Sequence, residues 1–334
     1  MTDNTCTVLA GDIGGTKTRL AIFTVTGLRL ECQAEDTYRS REHASLSELI
    51  ADFIASRDHR LDAACFGIAG PVRGTLADVT NLPWRIDATE IGQRFKLRRV
   101  ALLNDLEANA WGIRTLDAGD FQVLNSGKGH VTGNAAVIAA GTGLGEAGLY
   151  HDGNRLQPFA TEGGHTDFSP GNELEMELLR FLMERHAHVS WERVLSGPGL
   201  VNLHDFLHHH RGSELPDWLR EEMRNGDPAA TISRAAQTDR DAVCSEALEL
   251  FVHLYGVEAG NLALKTMATG GVYIGGGIAP KILDQLKDGK FLEAFCAKGR
   301  MRPLLEEIPV RVILNERTAL YGPAVFAATE ALQS

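Results

Sequence analysis

Positive charge, cysteine and long apolar runs are all scarce in this 334-residue chain. Each shortage removes a class of function. Lysine and arginine number 33 against 44 aspartates and glutamates, a formal net charge of -11 at pH 7. So acidic a protein does not attract nucleic acid nonspecifically, and an anionic ligand needs a local cationic or amide-lined site. The five cysteines, at 6, 32, 65, 244 and 296, are scattered and include no Cys-x-x-Cys pair. That usage points to a reduced, cytoplasmic protein without a zinc or redox motif. No apolar run reaches the ~18 residues a membrane helix requires, and the polar residues 1–5 fit no signal peptide. Neither a low-complexity segment nor a long linker interrupts the chain.

What the chain does have is length enough for two domains and two glycine-rich hairpins. The first is Gly11-Asp12-Ile13-Gly14-Gly15-Thr16-Lys17-Thr18, entered from Val8-Leu9-Ala10 and left through Arg19-Leu20-Ala21-Ile22-Phe23. The second is Gly141-Thr142-Gly143-Leu144-Gly145, entered from Ala136-Val137-Ile138-Ala139-Ala140 and followed by Ala147-Gly148-Leu149-Tyr150. Each reads as strand, tight turn, strand. In such a turn backbone N–H groups converge on an anion, and glycine lets phosphate come close to the main chain. Neither loop is a P-loop or a dinucleotide fingerprint, because the glycines are flanked by strands on both sides. Two such hairpins suggest a nucleotide gripped by two similar domains. A carboxylate inside the first loop, Asp12, makes sense if hydrated magnesium stands between it and the phosphates.

Periodicity places antiparallel strands over 8–35, a helix at 46–54, a buried strand at 62–68 and a helix at 86–95. A core strand, 100–103, runs into Asn104-Asp105 and a helix through Trp111. The second half shows helices near 172–187, 200–210 and 241–268, strands at 271–274 and 310–314, and a final helix over 318–332. The polar stretch 211–227 reads as a loop. A faint duplication pairs Gly67-Ile68-Ala69-Gly70-Pro71 with Gly277-Ile278-Ala279-Pro280. His208-His209-His210, with His204 one turn earlier, reads as a solvated helix end. Leu174, Leu178 and Phe181 read as core, and Gly256 and Gly260 as a close helix contact.

This order of parts resembles the actin, sugar-kinase and heat-shock ATPase superfamily. Its two phosphate segments, two connecting segments and adenosine segment fall at 9–22, 138–148, 103–112, 318–328 and 271–280. Within it, the chain is similar to bacterial ATP-dependent glucokinases. The resemblance rests on residues 11–21, Asn104-Asp105, 141–145, Glu162-Gly163-Gly164-His165, Glu192-Arg193-Val194-Leu195-Ser196-Gly197-Pro198-Gly199 and 275–280. It implies an α/β, two-domain actin-like ATPase (ribonuclease H-like) fold with an interdomain cleft. The small domain would be 1–110 with the C-terminal helix 318–334, and the large domain 111–317. It further implies a cytoplasmic, homodimeric kinase that uses ATP and Mg²⁺ to phosphorylate glucose at its 6-hydroxyl.

On that resemblance Asp105 is the general base; a helix N-cap is the other job an Asp in this position does. Asn81, Asn104, Glu162, His165 and Glu192, with Asp105, would grip the sugar. Gly11, Asp12, Gly14, Gly15, Thr16, Gly141, Thr142 and Gly143 would face the phosphates, with magnesium at Asp12, and Gly275, Gly276 and Gly277 the adenosine. Lys17 is as readily a solvent-facing residue as a phosphate ligand. The repressor and kinase relatives carry a cysteine-rich zinc segment after their Glu-x-Gly-His motif. Here Gly164-His165 is followed by Thr-Asp-Phe-Ser-Pro, which favours a zinc-free branch. A kinase for another hexose and a sugar-responsive regulatory ATPase remain the alternatives.

Overall fold

The computed structural model of the protein describes residues 5–55, 57, 59–129 and 132–332. The chain opens with three strands, β1 (Thr5–Ile13), β2 (Lys17–Thr26) and β3 (Arg29–Arg39), then α1 (Leu46–Ala55) and β4 (Ala63–Ile68). Three short strands follow: β5 (Val72–Arg73), β6 (Leu76–Asp78) and β7 (Arg85–Asp87). The segment closes with α2 (Ala88–Phe95), β8 (Val100–Asn104) and α3 (Asp105–Gly112). Next come β9 (Phe121–Asn125), β10 (Ala135–Ala140), β11 (Leu144–His151) and β12 (Leu156–Ala160). A helical stretch then holds α4 (Glu173–Met183), α5 (Gly197–Arg211), α6 (Asp217–Asn225), α7 (Pro228–Gln237) and α8 (Ala242–Thr266). The remaining elements are β13 (Gly271–Gly275), α9 (Leu283–Lys287), α10 (Lys290–Cys296), α11 (Arg302–Glu306), β14 (Val310–Ile313) and α12 (Thr318–Leu332). No helix among the described residues is long and apolar enough to cross a membrane.

The contacts divide the chain into two compact units. The first holds the chain up to Asp120, Gln157–Ala160 and everything from Asn315; the second holds Phe121–Leu156 and Thr161–Leu314. In the first, the sheet order is β3-β2-β1-β4-β8. The hairpin β1–β2 and the pair β2–β3 are antiparallel, whereas β1, β4 and β8 run parallel. Parallel strands are covered on both faces, so they read as unbroken apolar runs. All six residues of β4, Ala-Ala-Cys-Phe-Gly-Ile, are buried accordingly. On one face α1 presents Leu46, Leu49, Ile50 and Phe53, the spacing of an apolar helical stripe.

The second unit repeats the plan, with strands in the order β11-β10-β13-β14-β9 within a six-stranded sheet. Again a hairpin, β10–β11, is antiparallel, and β10, β13 and β14 run parallel. The duplication faintly visible in the sequence is therefore a duplicated topology. Three readings need correction. The stretch 211–227 is not all loop, since α6 occupies most of it; its polarity follows from burying only Leu219. The helix expected over 86–95 begins at Ala88, after β7, with Asp87 as its cap. The histidines at the end of α5 are not all solvated: His204 is buried and His208 half-buried, while His209 and His210 are exposed.

Two helix contacts depend on missing side chains. In the second unit a Cβ on Gly256 would lie 2.2 Å from the Phe291 carbonyl, and one on Gly260 would lie 2.5 Å from the Phe295 carbonyl. Those glycines let α8 and α10 touch backbone to backbone. In the first unit α12 lies on α3 in the same way. A Cβ on Gly322 would fall 1.7 Å from the Ala108 carbonyl, and one on Gly112 would fall 2.2 Å from the Thr318 carbonyl.

That crossing yields a stability prediction. Gly322→Ala gains ~1 kcal/mol of helix propensity. It also forces two backbones apart, an overpacking that costs ~1–3 kcal/mol in ordinary cores and falls here on atoms without rotamers. A net loss of ~2 kcal/mol is expected in urea unfolding. Gly119→Ala, whose Cβ would meet nothing within 4 Å, should be close to neutral. An unchanged Gly322→Ala midpoint would mean that α3 and α12 are not held in contact.

Candidate active site

The first hairpin is built to present backbone and is braced from behind. Its turn closes with the Gly14 N–H donating to the Lys17 carbonyl at 3.0 Å. Ser40 then holds it twice: its hydroxyl donates to the Gly14 carbonyl at 2.7 Å, and its N–H to the Thr16 carbonyl at 3.0 Å. The Ser40 hydroxyl also lies 3.0 Å from that of the buried Thr18. Gly15 has no room for a side chain, because a Cβ would stand 2.7 Å from the Thr80 carbonyl and 3.5 Å from Asn81 Cβ. The hairpin turn and the Asn81 turn are thus in contact. Asn81 itself is exposed and left-handed, with φ 65°. Gly11 is fully enclosed, its absent Cβ facing Phe66 at 2.6 Å. Thr16 and Lys17 are exposed.

Asp12 has a partner that pattern reading missed. Arg19, directly across the β1–β2 ladder, donates to Asp12 Oδ2 at 3.2 Å and to the Glu316 carbonyl at 2.9 Å. Burial pushes the Asp12 carboxyl above its usual range, and the Arg19 guanidinium draws it partly back. A half-buried carboxylate that burial penalises, beside a phosphate-type hairpin, is a donor that a hard divalent cation fits.

Asn104 and Asp105 end β8 and begin α3. The cap of α3 is Asn104, whose Oδ1 accepts from the Leu106 N–H at 3.0 Å. Asp105 is the first helical residue, and its Oδ1 accepts from the same N–H at 2.9 Å. The helix start therefore orients both side chains, and the capping job considered for Asp105 belongs chiefly to its neighbour.

In the second unit the other candidates gather around Leu144. The turn before it is tight, with the Gly141 N–H donating to the Gly143 carbonyl at 2.8 Å. Glu192 Oε2 accepts from the Leu144 N–H at 3.0 Å and occupies the space a Cβ on Gly143 would need, 2.5 Å away. Glu162 precedes a 3₁₀ turn, Gly163–His165, that ends on His165. That turn lies on the Leu144 carbonyl, which a Cβ on Gly164 would meet at 2.1 Å. The two segments are stitched together by Trp191 N–H to the Thr166 carbonyl, 3.0 Å, and by the edge-on pair Phe168–Trp191. Glu162 and His165 are exposed and Glu192 half-buried.

A cavity of about 1120 Å³ opens beside this loop, lined by Gly141, Thr142, Gly277, Ile278 and the first turns of α5 and α7. Ser196 caps α5, and the Gly197 N–H donates to the Gly141 carbonyl at 2.8 Å. Asp227 caps α7. Helix N-termini carry unpaired N–H groups and a positive dipole end, a favourable wall for phosphate. Of the three glycines after β13, Gly277 lines the cavity; Gly276, at φ 82°, turns against Ala140, and Gly275 is buried in the strand. Lys281, Arg234, Gln237 and Ala229 also line it, and no pattern in the sequence singled them out. Tyr255 was also missed. Its hydroxyl accepts from the Ala140 N–H at 3.1 Å and lies 3.3 Å from the carbonyls of Ile138 and Gly275, tying β10 to β13 beneath the loop.

The chain is similar to known proteins over nearly its whole length. The family model described as Glucokinase matches residues 9–330. A glucokinase of Nostoc sp. is 42% identical over 337 residues, covering 96% of this chain and 98% of the relative. Among solved structures, a glucokinase from an Antarctic psychrotroph superposes with a TM-score of 0.85 at 30% identity, covering 98% of this chain and 100% of that one. A ROK family glucokinase from Streptomyces griseus, solved with glucose and AMPPNP, shares the fold with a TM-score of 0.66 at 23% identity, covering 97% and 99%.

One buried acid underlies the Glu162–His165 turn. Glu146 is 2% exposed, and a Cβ on Gly163 would meet its Oε2 at 2.0 Å. Burial, and then the neighbouring Glu258, raise its pKa from 4.5 to about 8. Glu258 is itself bonded by Asn261 at 2.7 Å and Lys265 at 3.1 Å. A carboxyl raised on folding favours the fold fully below its unfolded pKa, and that contribution is lost as pH rises through its folded value. Wild-type thermal stability should therefore fall between about pH 5 and pH 8 more steeply than that of Glu146→Gln, which keeps the shape and does not titrate. Parallel profiles for the two proteins would show that Glu146 carries no such proton.

Proposed function

The chain belongs to the glucokinase family, and from that membership we propose how its residues divide the work of transferring a phosphoryl group from ATP to glucose. The enzyme carries out ATP-dependent phosphorylation of glucose; the assignment of roles below is the proposal. It rests above all on Leu144, where the second phosphate hairpin, the Glu192 carboxylate and the Glu162–His165 turn meet.

Glucose offers a ring of hydroxyls, so its site calls for acceptors and amides. Glu162, Glu192 and His165 would take part of that ring, with one Glu192 oxygen already spent on the Leu144 N–H. Asn81 and Asn104 would add amide donors. Such groups discriminate strongly, because an analogue lacking a hydroxyl leaves a polar partner unpaired. Asp105 would accept the 6-hydroxyl proton as that oxygen attacks the γ-phosphorus. The bond from the γ-phosphorus to the bridging oxygen breaks, ADP leaves, and the proton passes from Asp105 to water.

The open spaces over Gly141 and Gly277, where a Cβ would meet nothing within 4 Å, suit phosphate and ribose lying against main chain. Thr142, Gly143, Gly14, Gly15 and Thr16 complete the phosphate contacts; Gly11, expected among them, is instead enclosed against Phe66 inside β1. Asp12, through water, would hold magnesium, which when bound supplies positive charge to the phosphates. A homodimer is part of the same reading.

Two measurements test the assignment. Asp105→Asn should lower kcat by at least ~10³-fold with glucose binding weakened but retained; a kcat within a few-fold of wild type would remove Asp105 from the mechanism. The second probe is 6-deoxyglucose, which keeps every hydroxyl the grip needs and lacks the nucleophile. It should compete with glucose and never be phosphorylated. Failure to compete would mean that these side chains do not form the sugar site.

A further inference from the structure

His204 has no evident purpose in phosphoryl transfer, yet it is an expensive residue. Its side chain is 1% exposed, and neither ring nitrogen has a hydrogen-bond partner among the described residues. Asp205 Oδ1, 3.8 Å from Nδ1, is beyond bonding reach. A buried imidazole without a partner forfeits the full cost of its dehydration, so the fold is better explained if something binds there.

The start of α8 supplies matching donors. Asp241 caps that helix, its Oδ1 accepting from the Cys244 N–H at 2.8 Å. The Cys244 side chain is buried. One ligand atom from each of His204, Asp241 and Cys244 can be chosen so that all lie within 4.8 Å of one another. Tetrahedral zinc holds such donors about 3.5 Å apart, so an ion would draw these three together. One helical turn along α5 from His204, His208 has its Nε2 buried and unpartnered, and its Nδ1 lies 2.9 Å from Ser213 Oγ. An imidazole anchored through one nitrogen with the other unpaired is the usual posture of a metal ligand. The His204 and His208 rings are 4.6 Å apart.

We propose that His204, Asp241 and Cys244, with His208 as the fourth donor, bind one zinc-class divalent ion that staples α5 to the start of α8 within the second unit. Imidazole, thiolate and carboxylate together favour zinc over magnesium or calcium, which prefer oxygen alone. Cys244 gives up its thiol proton on binding. The ion would be structural, since four protein donors leave no open position for a substrate. Its effect would still reach the nucleotide cavity, because α5 lines that cavity with Leu200 and Val201 and α8 with Leu248 and Phe251. The site is separate from the one considered for Asp12.

The test uses the full chain with Cys32→Ser, removing the exposed thiol, stripped with a chelator and given zinc chloride or cobalt chloride alone. One zinc per chain should be retained after dialysis, with a raised thermal midpoint. The cobalt form should show sulfur-to-cobalt charge transfer in the near ultraviolet and visible bands of tetrahedral intensity. Cys244→Ala should lose the charge-transfer band, and His204→Gln should weaken zinc binding at least ~100-fold. Absence of stoichiometric zinc, a cobalt form without the thiolate band, or variants that bind as tightly as the parent would each overturn the proposal. If a variant fails to fold, the parent's stoichiometry and cobalt spectrum decide. None of these readouts involves glucose or ATP, so they stand apart from the catalytic assignment.

Discussion

The backbone around Leu144 is pinned on two sides, and much of the second unit is arranged to keep it so. Its N–H is held by the Glu192 carboxylate, and its carbonyl is covered by a turn that only glycine at 164 allows. Below, the Tyr255 hydroxyl clamps the end of β10 to β13. A phosphate loop works by aiming unpaired amides, and amides aim well only when the chain carrying them cannot relax. Glu192 therefore has a structural duty as well as the sugar contact proposed for it. A carboxylate shared between loop and sugar would let occupancy of one be felt by the other.

The first unit meets the same demand with different side chains. Ser40 and Thr18 replace an acid as the brace, and Arg19 ties Asp12 to the start of the segment that leads into α12. The first hairpin thus rests on the short, buried Ser40 and Thr18, and the second on the half-buried Glu192 and the buried Tyr255. Carboxylates in such places are costly unless matched. Arg19 matches Asp12, whereas burial and the neighbouring Glu258 push the Glu146 carboxyl well above its usual range.

Close helix contact is the other recurring device. Gly67 lets α3 and α12 approach the sheet and Gly112 and Gly322 bring those two helices together in the first unit, and Gly256 and Gly260 seat α8 on α10 in the second. Contacts of this kind fix helix position sharply, because backbone atoms have no rotamers with which to absorb an added methyl.

Much of this was legible in the amino-acid order. Glycine hairpins between apolar strands, an apolar strand ending in Asn104-Asp105, and the final helix at 318–332 are all local patterns, and local patterns follow from period and turn chemistry. The family resemblance carried the same information further. What the sequence alone did not determine depends on residues distant in the chain becoming neighbours. Arg19 finds Asp12 only across a strand register, and Glu192 finds Leu144 only after two segments fold together. The helix α6 escaped notice because it buries one leucine and is otherwise polar. The histidines of α5 illustrate the limit most clearly. Their sequence reads as a polar helix end, and period alone does not reveal that α8 will cover His204 and place Cys244 beside it. Burial is decided by what packs on a surface, and only the tertiary structure supplies that.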